Sequence, residues 1–257
     1  MNQIRLAAVV SVYNESTFLP DFLKFYSPEV DKIYVLDNES DDGSTIACTK
    51  YPNVEVSSYS TKGSFDEHIK HAALMEKRKE ISKSYDYTMV LDADEFVVPK
   101  AGGSIKATIE KTKKLDLYGT DGWNIYGYPD DPPYDPARPI LDQRKRGVPN
   151  DHYSKPIIGK SSIPFNYVEG SHFIKNGSTT VKPPGTHFWM FHLRGFDEEM
   201  FIRRAMKWVS RMVGTWPGYY YDNVTESDMR GRYTYERTYT TVTKIVPVDL
   251  SAHRSKK

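Results

Sequence analysis

Apolar residues along this chain fall into short runs that end in polar clusters. The first run, residues 6–12, is apolar except for Ser11 and rich in β-branched side chains. Such a run, with no polar face, predicts a parallel strand buried on both sides. Asn14-Glu15-Ser16 punctuate it, and Phe18, Leu19, Phe22, Leu23 and Tyr26 then recur at helical spacing. That predicts an amphipathic helix capped by Ser16 or Thr17, with Pro20 in its first turn. Residues 33–36 predict a second strand ending at Asp37, followed by a polar turn over 38–44 and a short helix from Ser44. A third strand at 54–56, a long helix over 65–82 and a strand at 87–91 complete the alternation.

Strand, helix and strand in this order predict an α/β fold with a mostly parallel sheet flanked by helices. Ligands in such sheets sit at the carboxyl ends of the strands. The polar clusters at 13–15, 37–42 and 92–95 all fall at predicted strand ends, which points to one cleft built by all three.

The second half is less regular. A helix is expected over 105–114, strands at 122–128, 155–158 and 186–191, and a helix over 197–212. In that helix Phe201, Ala205, Trp208, Val209 and Met212 share a face. Residues 129–149 carry six prolines among charged residues and read as a long, mobile loop. The polar, Tyr/Thr-rich and then basic C-terminal tail reads as surface-wrapped or disordered.

Composition narrows the function classes. A net charge of +1 argues against nucleic acid as a partner. The lone cysteine, Cys48, excludes an intrachain disulfide and a multi-cysteine zinc site, and reads as a small buried hydrophobe. No apolar run approaches the roughly 20 residues needed to span a bilayer. Residues 1–12 read as a first strand, not a signal peptide. The expected location is the cytoplasm, with peripheral membrane association left open. Nineteen tyrosines, in a chain 13% aromatic, offer surfaces that are both apolar and hydrogen-bonding.

The strongest chemical signal is at residues 86–98, where Met89-Val90-Leu91 run into Asp92, Asp94 and Glu95. Acids beside a buried strand need a neutralising charge. A hard divalent cation such as Mn2+ or Mg2+, which usually also holds substrate phosphates, would supply it.

Three segments occur in order: Ser11-Val12-Tyr13-Asn14-Glu15, then Leu36 to Ser44, then Leu91-Asp92-Ala93-Asp94-Glu95-Phe96. Together they resemble family 2-type glycosyltransferases with the Rossmann-like GT-A fold. The Asp-Glu-Phe ending and the later His-Leu-Arg are similar to a subgroup related to family 92.

The resemblance implies a single domain with a nucleotide-sugar-binding half, 1–115, and an acceptor-binding half, 116–257. It implies transfer of a sugar from a nucleotide-diphosphate sugar to a glycan or other hydroxyl acceptor, with inversion, in glycan or polysaccharide synthesis. Tyr13, Asn14, Glu15 and Asp37 would line the nucleotide pocket. Asp92 would touch ribose or metal, and Asp94 would hold the metal against the diphosphate. A late histidine usually completes the metal site. His187 and His192 differ in strand parity, so one of them faces the cleft, and His192, followed by a basic residue after Leu193, is favoured. Arg194, Arg203 and Lys207 are candidate diphosphate partners, and Lys155 resembles a lysine near the donor. The usual Glu-Asp pair before a helix is missing, so the general base is sought at Glu169 first, then Asp151, with His172 as a further candidate. Aromatic side chains at Tyr126, Tyr128, Tyr134 and 216–221 are candidate sugar platforms, whereas Trp123 and Trp208 are expected in the core.

Two other readings are weighed. One is a phosphatase of the haloacid-dehalogenase kind, which also places Asp-x-Asp after a strand; its motif, however, normally lies near the N-terminus and continues differently. The other is a non-catalytic nucleotide- or carbohydrate-binding protein on a similar fold.

Overall fold

A computed structural model describes residues 3–112, 114–168, 173–176, 179–181, 183, 185–212, 224–243 and 246–247. Strand β1 (Leu6–Val12) is buried along its length. Its two faces feed different clusters: Leu6, Ala8, Val10 and Val12 pack in the main core, while Ala7 and Val9 join a second one. That two-sided burial explains the unbroken apolar run. Helix α1 (Leu19–Tyr26) covers the main-core face with Leu19, Phe22, Leu23 and Tyr26. Pro20 sits in its first turn, but the cap position is Phe18, without a side-chain bond, so neither Ser16 nor Thr17 caps it. The carbonyl of Glu15 accepts from the Phe18 and Leu19 amides instead.

Strand β2 (Lys32–Asp37) and β3 (Val54–Ser58) extend the sheet in parallel, with the segment Ser44–Lys50 between them wound as a 3-10 helix. Helix α2 (Glu67–Ile81), capped by the Asp66 side chain, covers the second face through Leu74 and Ile81. Strand β4 (Tyr87–Asp92) lies parallel to β1 on its other side. The register pairs Val12 with Asp37 and Ser11 with Asp92. The three polar clusters therefore emerge from one sheet edge, as the sequence predicts.

Beyond β4 the sheet becomes mixed. Strand β5 (Glu95–Pro99) follows the acidic turn, and helix α3 (Ile105–Lys111) leads to the long strand β6 (Leu117–Tyr126). Strands β7 (Arg146–Pro149) and β8 (Pro156–Lys160) run antiparallel to β6, and β8 also pairs with β4. A small separate sheet holds β9 (Asn166–Tyr167), β10 (Ile174–Asn176) and β11 (Thr179–Val181). Strand β12 (Thr186–Gly195) runs parallel to β6 and antiparallel to β5. Helix α4 (Glu198–Met212) follows, and α5 (Glu226–Thr243) precedes the short β13 (Val246–Pro247), which pairs with β7.

Two expectations change. The proline-rich segment is tied down. Arg144, only 3% exposed, donates to the carbonyls of Phe196, Pro132 and Gln143. Gln143 closes the loop on Asp135 and Arg138, and the Tyr134 hydroxyl donates to Asp21 of α1 at 2.5 Å. The tail, read as disordered or wrapped, contains helix α5, whose Met229 and Tyr233 pack on Phe201, Ile202 and Ala205 of α4. Those two apolar residues, four apart, were its signal.

Gly122 lets the 3-10 turn Asp151–Tyr153 lie directly on β6. A Cβ there would stand 2.5 Å from the Asn150 carbonyl oxygen and 2.6 Å from Tyr153 Cβ. Gly122→Ala is expected to destabilise the fold by about 1–3 kcal/mol, read as a lower urea midpoint; an unchanged midpoint would contradict this packing.

Candidate functional site

The first two strand-end motifs interlock. Asn14 adopts a left-handed backbone, φ 50°, a conformation asparagine tolerates better than most residues. Its amide side chain exchanges two bonds with Asp41: Nδ2 donates to Oδ1 at 2.7 Å, and Oδ1 accepts from the Asp41 amide at 2.9 Å. The Asn14 and Glu15 amides donate to Ser40 Oγ and Ser44 Oγ, at 2.9 and 2.7 Å, and the Ser16 amide donates to Asp42 at 2.9 Å. Asp37 accepts from the Ser40 amide. The polar run 37–44 thus shapes the β1–α1 loop. Burial raises the Asp42 pKa, but bonds from Ser44 and Ser16 outweigh it and hold the carboxyl below its usual range.

The third motif separates into distinct roles. Asp92 pairs with Lys70 of α2 at 3.3 Å. Burial opposes its ionisation, yet Lys70, Lys155 and Arg204 hold the carboxyl far below the usual range. Asp94 is fully buried, contacts the Arg204 guanidinium, and has His192 Nε2 at 2.9 Å from Oδ2. Neither of its carboxylate oxygens has a partner in hydrogen-bond geometry. Glu95 is also fully buried. One oxygen receives the Lys155 ammonium at 2.6 Å and the other the Asp92 amide at 3.1 Å, so Glu95 braces the acidic turn.

His192 stands beside Glu95 on β5 and Asn124 on β6. Its Nδ1 lies 2.8 Å from Asn124 Oδ1, while Tyr153 stacks on the ring at 3.8 Å. Burial pushes its pKa down to about 3 against the opposing pull of Glu95. A neutral imidazole donating from Nδ1 to Asn124 presents the Nε2 lone pair to the Asp94 carboxylate. A lone pair facing a carboxylate needs a cation nearby, and the Arg204 guanidinium on the same Asp94 oxygen supplies one here. The donor set, imidazole nitrogen and carboxylate oxygen, suits Mn2+ or Mg2+, which take few protein ligands and complete their shell with water and phosphate. Among the described residues no group of three or more His, Cys, Asp or Glu is arranged to hold a metal ion. His187 faces elsewhere, against Tyr118.

Helix α4 closes the site. Lys207 Nζ donates to the carbonyls of Tyr13 and Asn14, both at 2.9 Å, and to Glu15 at 2.5 Å. Burial lowers its pKa to about 8, although Glu15 pulls the other way. Arg204 also reaches Glu15, at 3.3 Å. Arg211 lies 3.8 Å over the Tyr13 ring, and Trp208 packs against Tyr13 and Phe65. Trp208 is half-buried between Tyr13 and Phe65 and not in the core clusters, whereas Trp123 packs on Trp189 against the core. Arg203, Arg204 and Lys207, with Asn14 to Phe18 and Asp42, enclose a cavity of about 160 Å³.

Other expected site residues have different partners. Lys155 is 1% exposed and neutralises Glu95 instead of facing a donor. Arg194 forks Glu236 of α5 through two bonds of 3.2 Å, so its guanidinium is turned to the helix and not to a diphosphate. Tyr126 and Tyr128 are buried and serve packing, whereas Tyr134, bonded to Asp21, keeps a ring in the wall of a second cavity. Asp151 is exposed on the turn that carries Tyr153. Glu169, His172 and residues 216–221 lie outside the described residues. The sequence reading missed Lys70, Asn124, Tyr153, Arg204 and Arg211. For Lys70, Arg204 and Arg211 the signal was charge: the buried acids require cations, and α4 carries four at 203, 204, 207 and 211.

No family model matches the chain. No curated protein matches it. Several solved structures align with part of this chain at low identity. The 4-diphosphocytidyl-2C-methyl-D-erythritol synthase of Anaerococcus prevotii is 16% identical, covering 62% of this chain and 71% of its own, with a TM-score of 0.34. Glucosyl-3-phosphoglycerate synthase of Mycobacterium tuberculosis, in complex with Mn2+ and uridine-diphosphate-glucose, is 14% identical over 62% of this chain and 57% of its own, with a TM-score of 0.34. HddC from Yersinia pseudotuberculosis is 13% identical over 77% and 96%, with a TM-score of 0.41.

Two outcomes follow from the charges. Lys155→Met strands the buried Glu95 carboxylate and is expected to cost about 3–5 kcal/mol in urea unfolding, with Lys155→Met/Glu95→Gln recovering part of the loss. Asp42 and Glu236 both have folded pKa values below their usual range. Their stabilisation is complete above the unfolded carboxylate values of about 4 and is lost as pH falls through the folded ones. The urea midpoint should drop between pH 6 and pH 3, less steeply in Asp42→Asn; a flat profile would contradict this.

Proposed function

We propose that this protein is a glycosyltransferase that moves a sugar from a nucleotide-diphosphate sugar to a hydroxyl acceptor, with Mn2+ or Mg2+ at Asp94 and His192. The observation that carries the reading is the buried pairing of the His192 imidazole with the Asp94 carboxylate, 2.9 Å apart, at the strand edge where the three polar motifs meet. A bound divalent ion would absorb the negative charge that develops on the diphosphate as the anomeric C–O bond breaks.

The chain's own residues divide the remaining work. Arg203, Arg204 and Lys207 line the small cavity and offer donors to phosphate oxygens. Tyr13, Asn14, Glu15 and Asp37 hold the nucleoside side, and Asp92, kept ionised beside Lys70, stands ready for ribose hydroxyls or the metal. Asn124 and Tyr153 fix the imidazole, and Glu95 with Lys155 fixes the turn bearing both aspartates. Asp151, exposed on the turn next to His192, is the described candidate for the base that deprotonates the acceptor. On this reading residues 1–115 bind the donor and 116–257 shape the acceptor side.

Calorimetric titration with UDP, GDP, ADP, CDP and TDP, with and without Mn2+, tests the proposal. One nucleotide should bind, with metal improving affinity by at least about tenfold, and Asp94→Asn or His192→Ala should remove that gain. Binding indifferent to metal for every nucleotide, or a metal gain retained in Asp94→Asn, would overturn it.

A further inference from the structure

Beside the cationic cavity lies a larger one of about 490 Å³, between α1, the proline-rich segment and the start of α4. The two share Ser16, Thr17 and Arg203. The next residue on α4, Arg204, touches Asp94. The larger cavity therefore adjoins the smaller one, whose Arg204 reaches Asp94, and its volume suits a small-molecule substrate.

Its lining is two-fold in character. Pro20, Pro133, Pro136 and Met200 present flat or flexible apolar surface. The Tyr134 ring beside them is fixed by its bond to Asp21 and by edge contact with Phe196. Opposite, Asp197 and Glu199 contribute carboxylates from the first turn of α4. Asp197 accepts from the Glu199 and Met200 amides, and Glu199 pairs with Arg230 on the solvent side, which fixes both while leaving lone pairs for further donors.

Apolar surface facing ordered carboxylates matches a ligand with C–H faces and many hydroxyl donors. Arg230 holds both oxygens of Glu199 and Arg144 lies 3.9 Å from Asp197, so the carboxylates are fixed and charge-balanced, and these charged walls disfavour a lipid chain. We infer that this cavity is the acceptor subsite and that it takes a saccharide. The inference rests on the transferase reading for its role, but saccharide binding is measurable without nucleotide.

Saturation-transfer NMR with methyl glucoside, galactoside and mannoside at millimolar concentration, and with 3-phosphoglycerate as the anionic comparison, provides the test. At least one neutral glycoside should receive saturation from the wild-type chain. Pro20→Trp, which plugs the cavity from an exposed position, should abolish it. Glu199→Gln, also at an exposed position, should weaken it by about tenfold. Circular dichroism would verify that both variants are folded. No saturation of any glycoside, equal saturation in both variants, or saturation of 3-phosphoglycerate alone would overturn the inference. Absence of nucleotide binding in the wild type would instead remove the transferase role and leave a saccharide site standing.

Discussion

Three carboxylates, Glu15, Asp94 and Glu95, are each no more than 4% exposed at one edge of the sheet. Everything around that edge is arranged to bring opposite charge to them. Burying a carboxylate without compensation is prohibitive, so each draws a cation from elsewhere in the chain. Lys155 comes to Glu95, Arg204 to Asp94, and Lys207 to Glu15. All three cations belong to the second half of the chain, and all three acids to the first. Charge neutralisation, together with shared strands, is what joins α4 and the start of β8 to the acidic turn.

That arrangement also explains why the site is so rigidly built. The β1–α1 loop is held from below by Ser40, Asp41, Asp42 and Ser44, and from above by Lys207. The imidazole of His192 is held by Asn124 and Tyr153, with Asp94 facing its other nitrogen. A constellation fixed in this way meets a developing charge without having to reorganise, which is where electrostatic catalysis draws its advantage. The same rigidity extends to the proline-rich segment, whose buried Arg144 and Gln143 anchor it as one wall of the larger cavity.

The parallel half of the fold was legible because its strands are buried on both faces and its helices are amphipathic. Periods of that kind are local, and the ends of β1, β2 and β4 could be placed from them. The meeting of three polar clusters at one edge followed from topology alone. What the sequence did not show was where cations would go. Lys155 finds Glu95 across 60 residues, and Lys207 finds Glu15 across 192. A helix face bearing Arg203, Arg204, Lys207 and Arg211 reads locally as a solvated stripe, and only the buried acids turn it into part of a site. Resemblance points Lys155, and guanidinium chemistry points Arg194, to the substrate, whereas packing gives them Glu95 and Glu236. Helix α5 was hidden by its polar composition, since only a narrow stripe with Met229 and Tyr233 is buried.

The central claim is that this edge serves transfer of a sugar with release of a nucleoside diphosphate. Phosphorus NMR of the protein incubated with Mn2+, a panel of nucleotide-sugars, and separately with nucleoside triphosphates plus sugar phosphates reads the products directly. The account predicts nucleoside diphosphate from one nucleotide-sugar, and none with Asp94→Asn. Pyrophosphate from a triphosphate, or inorganic phosphate from a sugar phosphate, with every nucleotide-sugar left intact, would contradict it.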